Sequence, residues 1–342
     1  MPQLSEDIFR VTLLGTGAPP PRIDRFGPST LVEVGGMKFL FDAGRGALQR
    51  LFQLDIAFGE IDVMFLTHHH SDHVVGFTDL WLTGWIGRPW GKRTRPLKVL
   101  GPDGTNQMME HLPLAFATDI RVRAHSYDPE GVKLDSGEIA EGVVYEEGGV
   151  TISAFEVDHG GEQLDAFGYR IDFDGRSFVL SGDTTLNENL IAHSQNVDLL
   201  VHEVTHGMGD GIERSNLERI RANHTIPEDA GIVFSRTKPK LAAYTHILLF
   251  GDATPEDLIP TTRETYDGPV VVGEDLMQFD TGAEVSGTEN PLPPPPRRVA
   301  RRRGAGEGRA SVVSARTPRG PLRPRMDAGC LGARMGARRR GR

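Results

Sequence analysis

The 342 residues carry a net charge of −9, but fifteen arginines fall after residue 290, so residues 1–290 carry −22. Such a body repels polyanions at long range, which argues against a large nucleic-acid substrate. No apolar run approaches the roughly 20 residues of a membrane helix. The start MPQLSEDIFRVTLLGTG has no apolar signal core, and Cys330 is the lone cysteine. These features predict a cytoplasmic protein without a disulfide, in which any transition metal must be held by histidines and carboxylates.

In chain order, Phe9–Leu14 reads as a strand ending in Gly15-Thr16-Gly17. Thr30–Val34 and Met37–Phe41 read as a hairpin turned by Gly35-Gly36. A short helix is expected at Gly46–Leu54, a compact apolar strand at Ile61–Leu66, and a helix at Phe77–Ile86. Lys92-Arg93-Thr94-Arg95 reads as a solvated loop. Further strands are predicted at Leu97–Leu100, Val143–Tyr145, Val150–Val157, Gly168–Phe173, Ser177–Leu180, Val197–Val201 and Lys240–Tyr244. Helices are predicted at Thr105–Leu114, Leu186–His193, Ser215–Arg221, Pro227–Thr237 and Pro255–Tyr266. Two groups of strands, each followed by helices, suit an α/β fold of two packed mixed sheets with helices on the outer faces, an αββα sandwich, over residues 1–290. Residues 291–342 open with PLPPPP and hold their fifteen arginines against Glu307 and Asp327. They read as a disordered Pro/Arg-rich tail, either a basic arm for RNA or a passenger extension.

The most informative stretch is Leu66-Thr67-His68-His69-His70-Ser71-Asp72-His73, where an apolar strand runs straight into His-x-His-x-Asp-His. In extended chain alternate side chains share a side, so His68 and His70 can converge on one ion while His69 points away. Asp72 and His73 follow a change of direction and can reach a second ion. Three further strand ends deliver ligand-type residues: His159 after Ile152–Val157, Asp183 after Ser177–Leu180, and His246 after Leu241–Tyr244. Seven such groups suffice for two metal ions, and imidazole with carboxylate suits zinc, manganese or iron.

This pattern resembles the metallo-β-lactamase superfamily over nearly all of residues 8–280. The resemblance implies two Zn²⁺ ions (Mn²⁺ or Fe as alternatives), with His68, His70 and His159 on the first. Asp72, His73 and His246 would bind the second, and Asp183 would bridge. Asp42 matches an early Asp that steadies the ligand loop. His202-Glu203-Val204-Thr205 and Asn223-His224-Thr225 look like motifs of the tRNase Z branch. There the Glu and the second His form a proton-donating pair, a role that maps to Glu203 and His224, with Asp72 also orienting the nucleophile. A structural hydrogen bond for Glu203 and a helix cap for His224 are the plainer alternatives. Leu14-Gly15-Thr16-Gly17-Ala18-Pro19 and Gly101-Pro102-Asp103-Gly104-Thr105 resemble the same branch. A homodimer is the assembly that branch commonly adopts.

The likeness stops at the long tRNA-gripping arm, because only 24 positions separate His159 from Asp183. With the acidic body, this favours a hydrolase of a small phosphodiester or sulfate ester, in which a metal-bridging hydroxide attacks. A ribonuclease Z-like 3′-end RNA endonuclease and a lactonase or β-lactamase-type carbonyl hydrolase are the alternatives. A non-enzymatic binding scaffold would have lost ligands, and all seven are present. Trp81, Trp85 and Trp90 are expected either in the core or walling an apolar leaving-group pocket.

Overall fold

The computed structural model describes residues 7–87, 91–207, 214–282 and 285–288. Trp90 and the tail 291–342 lie outside them. The first sheet is built from β1 (Phe9–Gly15), β2 (Ser29–Val34), β3 (Met37–Phe41), β4 (Val63–Phe65), β5 (Leu97–Gly101) and β6 (Leu134–Glu138). The second holds β7 (Gly142–Glu147), β8 (Val150–Glu156), β9 (Phe167–Phe173), β10 (Arg176–Leu180), β11 (Leu199–His206), β12 (Leu241–Leu249) and β13 (Val270–Val272). The chain then returns, and β14 (Gln278–Asp280) and β15 (Ser286–Thr288) extend the first sheet beyond β1, in the order β15-β14-β1-β2-β3-β4-β5-β6. Both sheets are mixed. Hairpin-linked β1–β3 and β7–β10 pair antiparallel, whereas β3–β6 and β10–β13 are parallel because longer crossovers join them.

Strand alternation sorts the core into three layers. In β4, Val63 and Phe65 point between the sheets, while Met64 and the following Leu66 point outward. Phe65 stacks on Phe41 at 5.1 Å and meets Tyr169 of the opposite sheet at 5.5 Å. Outside the first sheet, α1 (Ala47–Gln53), α3 (Phe77–Trp85) and α4 (Thr105–Ala115) cover Leu40, Met64 and Leu66 with Leu51, Leu80, Trp81 and Met109. Outside the second, α6 (Glu188–His193) and α8 (Pro227–Thr237) cover Val179, Leu200 and Tyr244 with Leu190, Val233 and Phe234. The predicted αββα sandwich is therefore the observed architecture. Among the described residues no helix is long and apolar enough to cross a membrane.

Of the two readings of the tryptophans the core one holds for Trp81 and Trp85, which are fully buried with their indole N–H groups donating to Val132 O and Asp128 O. The Lys92–Arg95 stretch is a loop with Lys92, Thr94 and Arg95 exposed, as expected, but Arg93 is not solvated. Arg93 is buried and donates to Trp81 O and Gly131 O, and Arg95 pairs with Asp62 at 2.7 Å. The short strands β6, β13, β14 and β15 and helix α5 (Ala117–Arg123) carry too little periodicity to be read from sequence. The helix expected at Pro255–Tyr266 shrinks to a 3-10 turn followed by α9 (Leu258–Thr262).

Candidate metal centre and active site

The site lies where β3, β4, β8 and β10 end and where β11 and β12 pass beside them. After β4, His68 and His70 occupy an extended loop, and Asp72 and His73 sit on the one-turn helix α2 (Ser71–Val74). His68 Nε2 comes within 3.1 Å of His70 Nδ1, which lies 3.0 Å from His159 Nε2. Asp183 Oδ2 faces four imidazole Nε2 atoms: His246 at 3.1 Å, His73 at 3.4 Å, and His68 and His159 at 3.8 Å each. Asp72 Oδ2 lies 3.3 Å from His246 Nε2 and 3.6 Å from His73 Nε2. All seven sequence-selected residues thus converge, from four separate segments. His69, as expected, points elsewhere, with its Nε2 3.1 Å from Thr105 Oγ1.

The loop is held between the sheets. Phe167 N donates to Thr67 O (2.9 Å) and Tyr169 Oη to Leu66 O (2.6 Å), fastening the end of β4 to β9. Asp42, at positive φ after β3, accepts from Thr67 N and Thr67 Oγ1, both at 2.8 Å, and from His73 Nδ1 at 2.7 Å. Gly182 at φ +64 precedes Asp183, and a Cβ there would stand 2.5 Å from Phe167 O, so only glycine fits.

The second-sheet residues follow from the period of two. In β11, Leu199 and Val201 face the first sheet, so Glu203 faces it too, at the site. His202 faces outward against Phe234, its rings 5.7 Å apart. In β12 the same alternation would turn His246 outward, away from Asp183. It does not, because Glu203 pairs with Thr245 and Val204 with Ile247, which leaves His246 as an extra, bulged residue at φ +42. Sequence reading had placed His246 beyond a strand ending at Tyr244. It lies inside β12, and the bulge turns it inward. A positive φ on a non-glycine residue costs about 1 kcal/mol or more, offset by the surrounding hydrogen bonds. One of these is Ile247 N to Thr16 O at 2.8 Å.

The imidazoles have fixed tautomers. Nδ1–H donates to Asp42 in His73, to Asn223 O in His159 (2.7 Å) and to Thr67 Oγ1 in His68 (2.9 Å). Each therefore turns an Nε2 lone pair into the cluster. His73 Nε2 is buried without a hydrogen-bond partner. Burial holds the His68 pKa well below its ordinary value and that of His159 at about 4. For His73 burial acts the same way but is outweighed by Asp183 and Asp42, which raise it. Lone pairs crowded at 3.0–3.1 Å, an orphaned ring nitrogen and a carboxylate amid four imidazoles form a donor set that suits divalent cations.

Beside the cluster, Glu203 Oε1 accepts from His224 Nδ1 (3.0 Å) and from Thr184 N (2.9 Å). The His224 ring lies 5.0 Å from His159 and 5.5 Å from His246. Burial opposes a charged His224, yet the Glu203 carboxylate takes its pKa up to about 9. Burial also pushes the Glu203 carboxyl upward. Two donors aimed at its Oε1 favour the anion, so the shared proton sits on His224. Sequence reading missed Thr67 and Asn223. The latter accepts at O from His159 and at Oδ1 from Gly160 N (2.8 Å). Their signal was adjacency alone, each standing next to a selected histidine.

The sandwich and its His/Asp cluster define a metal-dependent hydrolase, and the chain belongs to the metallo-β-lactamase superfamily, the beta-lactamase superfamily domain matching residues 37–247. Among individual relatives, the chain is 34% identical over 279 residues to Ribonuclease Z of Mycolicibacterium gilvum, covering 79% of this chain and 95% of that one. In fold it resembles the metallo-β-lactamase fold protein YhfI of Bacillus subtilis (TM-score 0.65, 20% identity), over 80% of this chain and 100% of that one. It also resembles the short form of human tRNase Z (TM-score 0.57, 21% identity), over 79% of this chain and 98% of that one.

Proposed function

We propose that the protein is a ribonuclease Z-type phosphodiesterase that hydrolyses RNA near its 3′ end, with two metal ions, zinc being the best match to an imidazole-rich donor set. His68, His70 and His159 would hold one ion, Asp72, His73 and His246 the other, and Asp183 would serve both. The bound cations would supply Lewis acidity and charge to the phosphoryl oxygens. Asp72 would orient the attacking water. His224, kept protonated by Glu203, donates its Nε2 proton to the departing oxygen.

The observation that carries this reading is the buried Glu203–His224 pair beside the cluster. A leaving alkoxide needs a proton at neutral pH, and a histidine near pKa 9 keeps one available. Relatives called Ribonuclease Z at 34% identity favour RNA over the small sulfate or phosphate ester expected from charge. The connection between β8 and β9 is only residues 157–166, which leaves no room for a long arm. Since the alignment takes in 95% of the M. gilvum protein, that relative has no extra length for one either. A smaller phosphodiester is the second reading, favoured by the same short connection.

The test is a panel on the full chain loaded with zinc: a precursor tRNA with a 3′ trailer, an aryl phosphodiester, a lactone and a β-lactam. Trailer release should cease with chelator, return with metal, and fall about 10²–10⁴-fold in His224→Ala. Turnover of only the lactone or β-lactam, indifferent to His224, refutes the proposal. Aryl phosphodiester turnover without trailer release selects the second reading.

A further inference from the structure

Three buried atoms around the cluster lack a hydrogen-bond partner among the described residues: His73 Nε2, His246 Nδ1 and Glu203 Oε2. The first faces the carboxylates of Asp183 and Asp72 at 3.4 and 3.6 Å, so a cation there accounts for it. The other two are left over. His246 presents Nε2 to Asp183 (3.1 Å) and Asp72 (3.3 Å), which turns its Nδ1 away from the cluster. Glu203 engages His224 and Thr184 N through Oε1, which leaves Oε2 unused in a fully buried carboxylate. The two residues are neighbours. The bulge that turns His246 inward sets it beside Glu203 on the adjoining strand. A nitrogen of His246, a nitrogen of His224 and an oxygen of Glu203 all lie within 4.8 Å of one another. His224 stands three residues past α7 (Arg214–Arg221), its ring stacked 5.5 Å from that of His246.

We propose that Glu203 is a positioning residue for His246 as well as the partner of His224: its Oε2 accepts the Nδ1 proton of His246, directly or through one water, while Oε1 accepts from His224. The ligand role of His246 rests on the metal centre proposed above. A ring that gives its Nε2 lone pair to a cation must carry its proton on Nδ1, and a buried N–H needs an acceptor. The other Nε2 donors already have theirs: Asp42 for His73, Asn223 O for His159 and Thr67 Oγ1 for His68. His246 lacks one, and Glu203 Oε2 is the unengaged buried acceptor beside it, so the two complete each other. One carboxylate thereby joins the ligand shell to the proton donor. Its replacement should loosen the metal as well as slow proton transfer, whereas loss of His224 should do only the second.

The first measurement is zinc affinity of the chelator-treated full chain, by competition with a chromogenic chelator. Glu203→Gln keeps its amide oxygen on Thr184 N and His224, so its NH2 group meets the His246 N–H, donor against donor. Zinc affinity should fall about 10–100-fold. His224→Ala removes only a contact to Oε1 and should hold zinc as tightly as the parent. Equal affinity in the two variants, whether both kept or both weakened, overturns the pairing. The second measurement is heteronuclear NMR of the zinc-loaded chain with isotope-labelled histidine, which loss of charge alone would not move. The His246 Nδ1–H signal, assigned by its absence in His246→Gln, should be protected from exchange in the parent and in His224→Ala, and lost or displaced in Glu203→Gln. Bound zinc without a protected His246 Nδ1–H in the parent refutes the pairing and leaves the metal centre standing. A parent that binds no zinc refutes the metal centre, and the ligand role of His246 with it.

Discussion

Replacing Glu203 by Gln isolates what the buried carboxylate does for His224. The exchange is isosteric, and the amide oxygen can still accept from Thr184 N and His224 Nδ1, so the geometry persists while the charge is lost. Taking the His224 pKa from 6.5 up to about 9 corresponds to roughly 3 kcal/mol of preference for the charged ring. Because the folded value lies above the unfolded one, the folded protein binds more protons between those two pH values. That contribution is complete below pH 6.5 and is lost as pH rises through about 9. In the Glu203→Gln protein the largest influence raising the His224 pKa is gone, leaving burial and His73 to lower it against Asp183, so most of this loss disappears. His73, also raised by its carboxylates, adds a slope of its own, and the difference between the two proteins is therefore the quantity to read. The assay is urea unfolding of chelator-treated protein from about pH 6 to pH 10. The parent should lose about 2–3 kcal/mol more than the variant over that range. Equal pH slopes would refute the claim that Glu203 holds the proton on His224. In the metal-loaded enzyme the same variant should lose about 10²–10⁴ in kcat.

Asp42→Ala removes three hydrogen bonds around His73 and Thr67 and should weaken metal retention about 10–100-fold. Competition with a chromogenic chelator measures this, and unchanged affinity would show that the loop needs no such support. Asp275 is buried and accepts from Thr16 N, Thr16 Oγ1, Phe26 N and two nitrogens of the nearly buried Arg50. Asp275→Asn, which leaves that guanidinium without its anion, should cost about 3–5 kcal/mol and lower Tm by about 10 °C. A loss below about 1 kcal/mol by calorimetry would mean the Arg50 charge is satisfied by other means.

The candidate ligand set was legible because most of its residues stand just past strand ends. His68, His70, Asp72 and His73 follow one apolar strand within six positions, and the backbone period already turns His68 and His70 to one side. His159 and Asp183 stand just past strands whose apolar runs are unmistakable. His246 was found by residue type, yet its orientation was not legible. Alternation predicts the wrong face, and only pairing with β11 creates the bulge that corrects it. The tryptophans were ambiguous for the converse reason, since burial depends on which helices cover them.

Charge pointed to a small ester, an expectation the Ribonuclease Z relatives do not support. A net sum over residues 1–290 ignores where the charges sit: Arg170 and Arg236 are tied to Asp172 and Glu188, while Arg221 is exposed. The sequence by itself determined the sandwich, the seven ligand-type residues and the Glu/His pair, because hydrophobic period and residue chemistry are local properties. The tertiary structure decided which nitrogen each imidazole presents, which way His246 faces and where the proton between Glu203 and His224 resides. Those depend on hydrogen-bond partners and burial contributed by chain segments far apart in sequence.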